Sequence, residues 1–168
     1  LQQSRINTDL QEKLMRSRMV PFSRLVPRLR RIVRRLAAEL DRQVDIEFEN
    51  VTGEMDRSLL ERMLAPMEHM LRNAVGHGIE SPKERLAAGK PIQGKITIRV
   101  DREGGDVTLT LSDDGRGIGL AAVRNKAVLQ GLMDAEASLT DNEIMQFILA
   151  SGFSTASQVT HISGRGVG

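Results

Sequence analysis

His69-Met70-Leu71-Arg72-Asn73-Ala74-Val75-Gly76-His77-Gly78 closes an otherwise apolar helical pattern. Residues four apart lie on one face of a helix, so His69, Asn73 and His77 form a polar stripe. Met63, Leu64, Met67, Met70, Leu71, Ala74 and Val75 supply the apolar surface that such a helix buries. Taken alone, a stripe of this kind is most often a solvated helix face. Two glycine-rich loops further along the chain shift the balance toward a site.

Working outward, Asp56 is an N-cap for a helix over about 57–76, with Pro66 as a point where it can bend. Upstream, Val44, Ile46 and Phe48 alternate with charged residues, which is a strand pattern. Before that strand, a helix from about Ser23 to Leu40 carries Pro27 near its start. Residues 1–19 read as one further helix, with Ile6, Leu10 and Leu14 on its apolar side and Pro21 ending it. Downstream, Ser81-Pro82-Lys83-Glu84 opens a short helix with a cap, a first-turn proline and a capping-box glutamate. Ile96, Ile98 and Val100 alternate, Gly104-Gly105 turns the chain, and Val107, Leu109 and Leu111 alternate again, which is a β-hairpin. Leu120 to about Leu129 reads as helix, as does a segment capped by Thr140 with Glu143 that runs to near Gly152. The rest is loop-like. Helices with hairpin-linked strands indicate an α+β fold, a mixed sheet with helices on one face.

The 168 residues suffice for one domain with a real core and an appendage. Hydrophobic residues make up 40% and charged residues 27%, the balance of a globular chain. With no cysteine, disulfides and thiolate zinc sites are excluded. No apolar run is long enough to span a membrane and no signal-peptide pattern is present, so a cytoplasmic location is the default expectation. Because the chain begins at Leu1 rather than Met, it is expected to be a fragment. Net charge is +2, yet Arg24, Arg28, Arg30, Arg31, Arg34 and Arg35 crowd one segment. Aromatics are only 2%, which leaves no base-stacking platform. Leu25, Leu29, Ile32, Val33 and Leu36 have clean amphipathic spacing, so the segment reads as a core-packed helix with a solvated arginine face and no nucleic-acid role.

Asp113-Asp114-Gly115-Arg116-Gly117 follows directly on a strand. Its glycines allow a sharp turn and a close backbone approach, and a carboxylate there can accept from the exocyclic amine of adenine. An ordinary Asp-Gly turn is the plain alternative. Gly164-x-Gly166-x-Gly168 is a second loop of exposed backbone whose amides suit phosphate oxygens. Gly89 to Ile96 nearly matches a P-loop, but Ile96 replaces the required Ser/Thr and a strand follows where a helix should. The motifs of eukaryotic-type kinases are missing.

In combination and order, the Asn73 helix, the Asp113 loop, Gly152-Phe153-Ser154-Thr155 and the Gly164–Gly168 loop resemble the N, G1, F and G2 boxes of the GHKL ATPase superfamily. Arg18-Met19-Val20-Pro21, His69 to Glu80, residues 85–90 and Gly152 to Ala156 resemble more closely the CheA-type chemotaxis histidine kinases and their twitching-motility (pilus) relatives. The resemblance implies a Bergerat-type two-layer α/β sandwich over residues 21–168, truncated at the second glycine loop. Residues 1–20 would be the end of a dimerisation helical hairpin.

It further implies MgATP as ligand. Asn73 would offer its amide oxygen to Mg²⁺, with His77 beside it, and His69 and Arg72 would lie near the phosphates as catalytic groups. Asp113 would hold the adenine amine, Gly117 would keep the pocket floor open, Gly164, Gly166 and Gly168 would border the triphosphate, and Gly115, Ser154 and Thr155 would be further nucleotide-binding residues. A lid would span roughly 125–163. The implied reaction is γ-phosphoryl transfer to a histidine on a separate phosphotransfer domain, in a full-length homodimer served by adaptor and receptor proteins.

ATP-hydrolysing relatives carry Glu four residues before the asparagine; here that position is His69, and Glu68 is turned about 100° away on a 3.6-residue helix. A histidine kinase is therefore expected, against a non-kinase GHKL ATPase or a nucleotide-free scaffold. Two departures are visible. Gly76 stands where the CheA pattern has Asp, which predicts weakened catalysis, and Ala156 and Gln158 stand where some relatives carry lysines.

Overall fold

The computed structural model describes residues 10, 11, 13, 14, 18–104 and 106–149. The chain divides into two compact units, residues 1–116 and 117–168.

In the first unit, β1 (Met19–Pro21) leads through a 3-10 turn (Phe22–Leu25) into α1 (Val26–Glu39). Then come β2 (Val44–Glu49), β3 (Glu54–Asp56), α2 (Arg57–Asn73), a π-helical turn (Ala74–Gly78) and α3 (Pro82–Ala87). The unit closes with β4 (Gly94–Glu103) and β5 (Asp106–Asp113). β2 pairs parallel with β4, and β4 pairs antiparallel with β5, so the sheet is mixed and has the order β2-β4-β5. The expected hairpin forms, turning at Gly104 with φ +60°.

Alternation decides the layers. Ile46, Ile96, Ile98 and Val100 are buried, and Leu109 and Leu111 pack against them. Their neighbours Asp45, Glu47, Lys95, Arg99, Thr108 and Thr110 are exposed. Only one face of the sheet is therefore apolar, and helices cover it. From α1 come Leu29, Ile32, Val33 and Leu36, at three- and four-residue spacing; from α2 come Leu60, Met67 and Leu71. Each such side chain, once fully buried, is worth about 1.5–3 kcal/mol against exposure. The α+β expectation, helices on one face of a mixed sheet, holds.

Three local features follow the sequence reading. Asp56 caps α2 by accepting from the Ser58 and Leu59 amides. Ser81 with Glu84, and Thr140 with Glu143, form full capping boxes. Pro27 sits in the first turn of α1.

Three features depart from it. Leu10, Gln11, Lys13 and Leu14 are helical, but the helix read over residues 1–19 does not reach Met19. Met19–Pro21 is a strand that pairs antiparallel with Glu54–Asp56, so neither three-residue strand exists without the other. Val20 and Met55, partners in that ladder, are both buried, and their burial overrides local helix propensity. Arg30, read as part of a solvated arginine face, instead donates from Nη1 to the Ile46 carbonyl at 3.0 Å and stacks over the Phe48 ring at 5.2 Å. The third departure is the π-helical turn after α2, described below.

The second unit contains α4 (Leu120–Leu129), α5 (Asp141–Gln146) and a 3-10 turn (Phe147–Leu149). Val123, Ala127 and Ile144 form its own small core. The Arg124 guanidinium donates to the Ala135 and Ala137 carbonyls, which ties down the segment between the helices.

Candidate functional site

α2 ends as an amphipathic helix with Leu60, Met67 and Leu71 buried and His69 and Asn73 exposed, though Met70, expected on the apolar surface, is exposed as well. The Asn73 Nδ2 lies 3.3 Å from His69 Nε2. An amide nitrogen can only donate, so the imidazole accepts at Nε2 and the Asn73 oxygen is turned the other way. Arg72 is half-buried in the last turn of the helix, where a cation suits the helix dipole. Glu68 faces elsewhere: its carboxylate pairs with Arg28 of α1 at 3.6 Å.

The backbone then changes period. Ala74–Gly78 is a π-helical turn, closed by the Ile79 amide donating to the Ala74 carbonyl at 2.7 Å. His77 is exposed on this turn, as His69 and Asn73 are on the helix before it. Gly76 has room for a side chain, since an added Cβ would meet only Leu40, at 3.5 Å.

Asp113 ends β5 opposite Ile96. Its Oδ1 accepts from the Gly115 amide at 2.9 Å, which folds the loop back. That loop lies directly on the π turn. The Arg116 amide donates to the Gly78 carbonyl at 2.9 Å. A Cβ on Gly115 would stand 2.1 Å from the Gly78 oxygen, and one on Gly78 would stand 2.9 Å from the Asp113 carboxylate. The close backbone approach expected of Gly115 is made to the Gly78 carbonyl of the same chain. The helix end carrying Asn73 and the loop carrying Asp113 are thus one continuous edge. Gly117 opens the second unit at φ +70°, a conformation natural to glycine.

Beneath the loop lies a charged cluster that the sequence reading passed over. Arg85 on α3 is fully buried. It pairs with Glu80 at 3.0 Å and with Asp114 at 2.9 Å, and its Nε donates to the Pro91 carbonyl. The Lys90 ammonium reaches Glu80 at 2.6 Å, the Gly115 carbonyl at 2.9 Å and the Asp114 carbonyl at 3.1 Å. Burial acts to raise the Glu80 carboxyl, but the Lys90 and Arg85 cations outweigh it and hold the group below its ordinary value. Glu80, Arg85 and Lys90 are five apart, a spacing that suits no single helix face. Arginine is also rarely fully buried, so no local signal marked the cluster.

Among the described residues no group of three or more His, Cys, Asp or Glu could hold a metal. That donor set fits Mg²⁺ only as MgATP, since this ion commonly takes one or two protein oxygens and completes its shell with phosphates and water. The Asn73 amide oxygen suits that single role. Ser154, Thr155, Gly164, Gly166 and Gly168 lie outside the described residues, as does the end of the expected lid. No helix among the described residues is long and apolar enough to cross a membrane.

A family model described as histidine kinase-, DNA gyrase B-, and HSP90-like ATPase matches residues 62–168. The chemotaxis protein CheA of Treponema pallidum is 43% identical over 164 residues, 98% of this chain and 20% of that protein. CheA of Klebsiella aerogenes is 43% identical over 160 residues, 95% of this chain and 24% of that protein. CheA of Bacillus subtilis is 38% identical, covering 98% of this chain and 25% of that protein. The chain thus spans a quarter or less of the length of these relatives. Among solved structures, a histidine kinase domain from Erythrobacter litoralis EL346 is 19% identical with a TM-score of 0.41, covering 79% of this chain and 56% of that one.

Proposed function

The chain belongs to the histidine kinase-, DNA gyrase B-, and HSP90-like ATPase family, and on that premise we propose that it binds MgATP and passes the γ-phosphoryl group to a histidine on a separate phosphotransfer domain in chemotaxis-type signalling. The observation that carries the reading is the Asp113 carboxylate seated against Gly78, at the end of the turn that follows Asn73. One group for the base and one for the metal-phosphate end then share an edge. Asp113 accepts from the adenine amine through the oxygen not engaged by Gly115. Asn73 offers its amide oxygen to the magnesium ion, which neutralises phosphate charge when bound. His69 orients Asn73, and Arg72 and His77 add positive or donor groups beside the triphosphate. Ser154, Thr155, Gly117, Gly164, Gly166 and Gly168 are assigned to the nucleotide by resemblance.

The acceptor imidazole nitrogen attacks the γ-phosphorus, the bond to the β,γ-bridging oxygen breaks, ADP leaves with that oxygen's electron pair, and the imidazole's remaining N–H proton passes to solvent. Such chemistry rests on positioning and charge neutralisation rather than on a protein nucleophile. A kinase is favoured over a hydrolase because His69 stands four residues before Asn73, while Glu68 is paired with Arg28. Adaptor and receptor proteins, and a second copy in the full-length protein, are the further partners of this reading.

A MgATP titration of the parent chain against Asp113→Asn tests the nucleotide assignment; equal affinity would undo it. Labelled ATP with a supplied phosphotransfer domain tests the reaction. Label on the acceptor is expected, and steady free-phosphate release without an acceptor would instead indicate a hydrolase.

A further inference from the structure

We propose that Arg85 is a positioning residue for the nucleotide: acting through Asp114, it sets the place of Asp113 and hence the preference for adenine over a purine without the exocyclic amine. The proposal rests on the MgATP reading above. Arg85 is fully buried and directs its fork at four residues, Glu80, Pro91, Gln93 and Asp114. Nη2 meets the Asp114 carboxylate at 2.9 Å and Nη1 the Glu80 carboxylate at 3.0 Å. Nε donates to the Pro91 carbonyl at 2.6 Å, and Nη1 reaches the Asp114 carbonyl at 3.4 Å. The other Asp114 oxygen accepts from the Lys95 amide at 2.8 Å, at the start of β4. Asp114 is therefore held from α3 on one side and from the sheet on the other.

Along extended backbone, successive side chains point to opposite sides. Fixing Asp114 toward Arg85 turns Asp113 the other way, onto Gly78, where its carboxylate is found. Lys90 reinforces the same orientation by binding the carbonyls of Asp114 and Gly115. A buried ion cluster of this kind is a poor source of stability, because apolar replacements of similar volume often serve as well. It is well suited to specifying one geometry. Arginine is needed for that, since lysine keeps the charge but cannot reach a carboxylate, a second carboxylate and a carbonyl in one plane.

The test measures Kd for MgATP and for MgITP, whose base has an oxygen in place of the amine, with melting curves for each variant. The parent is expected to prefer MgATP. Arg85→Lys should lower MgATP affinity about tenfold while changing MgITP affinity much less, so that the ratio collapses. Asp114→Asn, which keeps the loop length and an acceptor for Lys95, should produce the same collapse. It carries the test if Arg85→Lys fails to fold. Combining the two should add nothing further. A purely structural role would lower the melting temperature and leave the ratio unchanged, and that result in both folded variants overturns the proposal. A parent chain that binds no MgATP overturns the nucleotide reading itself, and this inference with it.

Discussion

The Asn73 amide nitrogen and the His69 Nε2 are 3.3 Å apart on consecutive turns of α2, so the imidazole determines which way the amide oxygen faces. If that oxygen meets the metal-phosphate group, His69 matters without touching it. His69→Ala is expected to slow phosphotransfer about tenfold, the worth of roughly one hydrogen bond. His69→Gln, which restores an acceptor, should recover part of the loss. Single-turnover transfer assays would check this, and equal rates for Ala and Gln would show that orientation is not what His69 provides.

His69→Glu places a carboxylate where water-activating relatives hold theirs. Free-phosphate release in the absence of an acceptor should rise over the parent. Glu68→Ala should leave release unchanged, because that side chain is turned about 100° from the His69 position on the helix, toward Arg28. A phosphate-release assay on both variants decides the point.

Gly115→Ala should destabilise the first unit by about 1–3 kcal/mol and abolish MgATP binding, since the new methyl would sit 2.1 Å from the Gly78 carbonyl oxygen. Neither backbone can withdraw without breaking the Arg116–Gly78 hydrogen bond. Denaturant melts and a nucleotide titration would measure the two effects.

Gly76 is the contrasting glycine. Its added Cβ meets only Leu40, at 3.5 Å. Gly76→Ala should raise stability by about 0.4–1 kcal/mol by restricting the unfolded chain. Gly76→Asp should raise phosphotransfer, measured as label on the acceptor. Unchanged transfer would show that the missing carboxylate has no bearing on catalysis.

Acid should loosen the fold from a defined set of carboxyls. Ser58 holds Asp56 below its ordinary value, and the Ser81 and Thr140 amides and hydroxyls do the same for Glu84 and Glu143. Lys90 and Arg85, against the opposing effect of burial, lower Glu80. A depressed carboxyl means that the unfolded chain binds more protons, so its contribution is complete above the ordinary values of 3.8 and 4.5 and is lost as pH falls through the lowered ones. Melting temperature should be level above about pH 5 and fall below it. Glu80→Gln should shrink the acid-dependent part of the drop.

What the sequence determined by itself was local. Asp56, Ser81 with Glu84, and Thr140 with Glu143 declare their helices within four residues, because a cap satisfies amides of its own first turn. Leu29, Ile32, Val33 and Leu36 define the buried face of α1, and the alternation from Ile96 to Leu111 defines a hairpin with one face inward. Those periods alone were enough for a one-sided mixed sheet under helices. Asn73 and Asp113 were legible as candidates from their settings, a helix end and a strand end. The tertiary structure decided everything that depends on distant residues meeting. Met19–Pro21 becomes a strand only because Glu54–Asp56 lies beside it. Gly115 is required by the carbonyl of Gly78, and Arg85 is buried because Glu80, Asp114, Pro91 and Gln93 converge on it. A cap or an alternation is satisfied by neighbours along the chain and can be read there. A backbone contact or a buried charge is satisfied only across the fold, so no short window of sequence contains it.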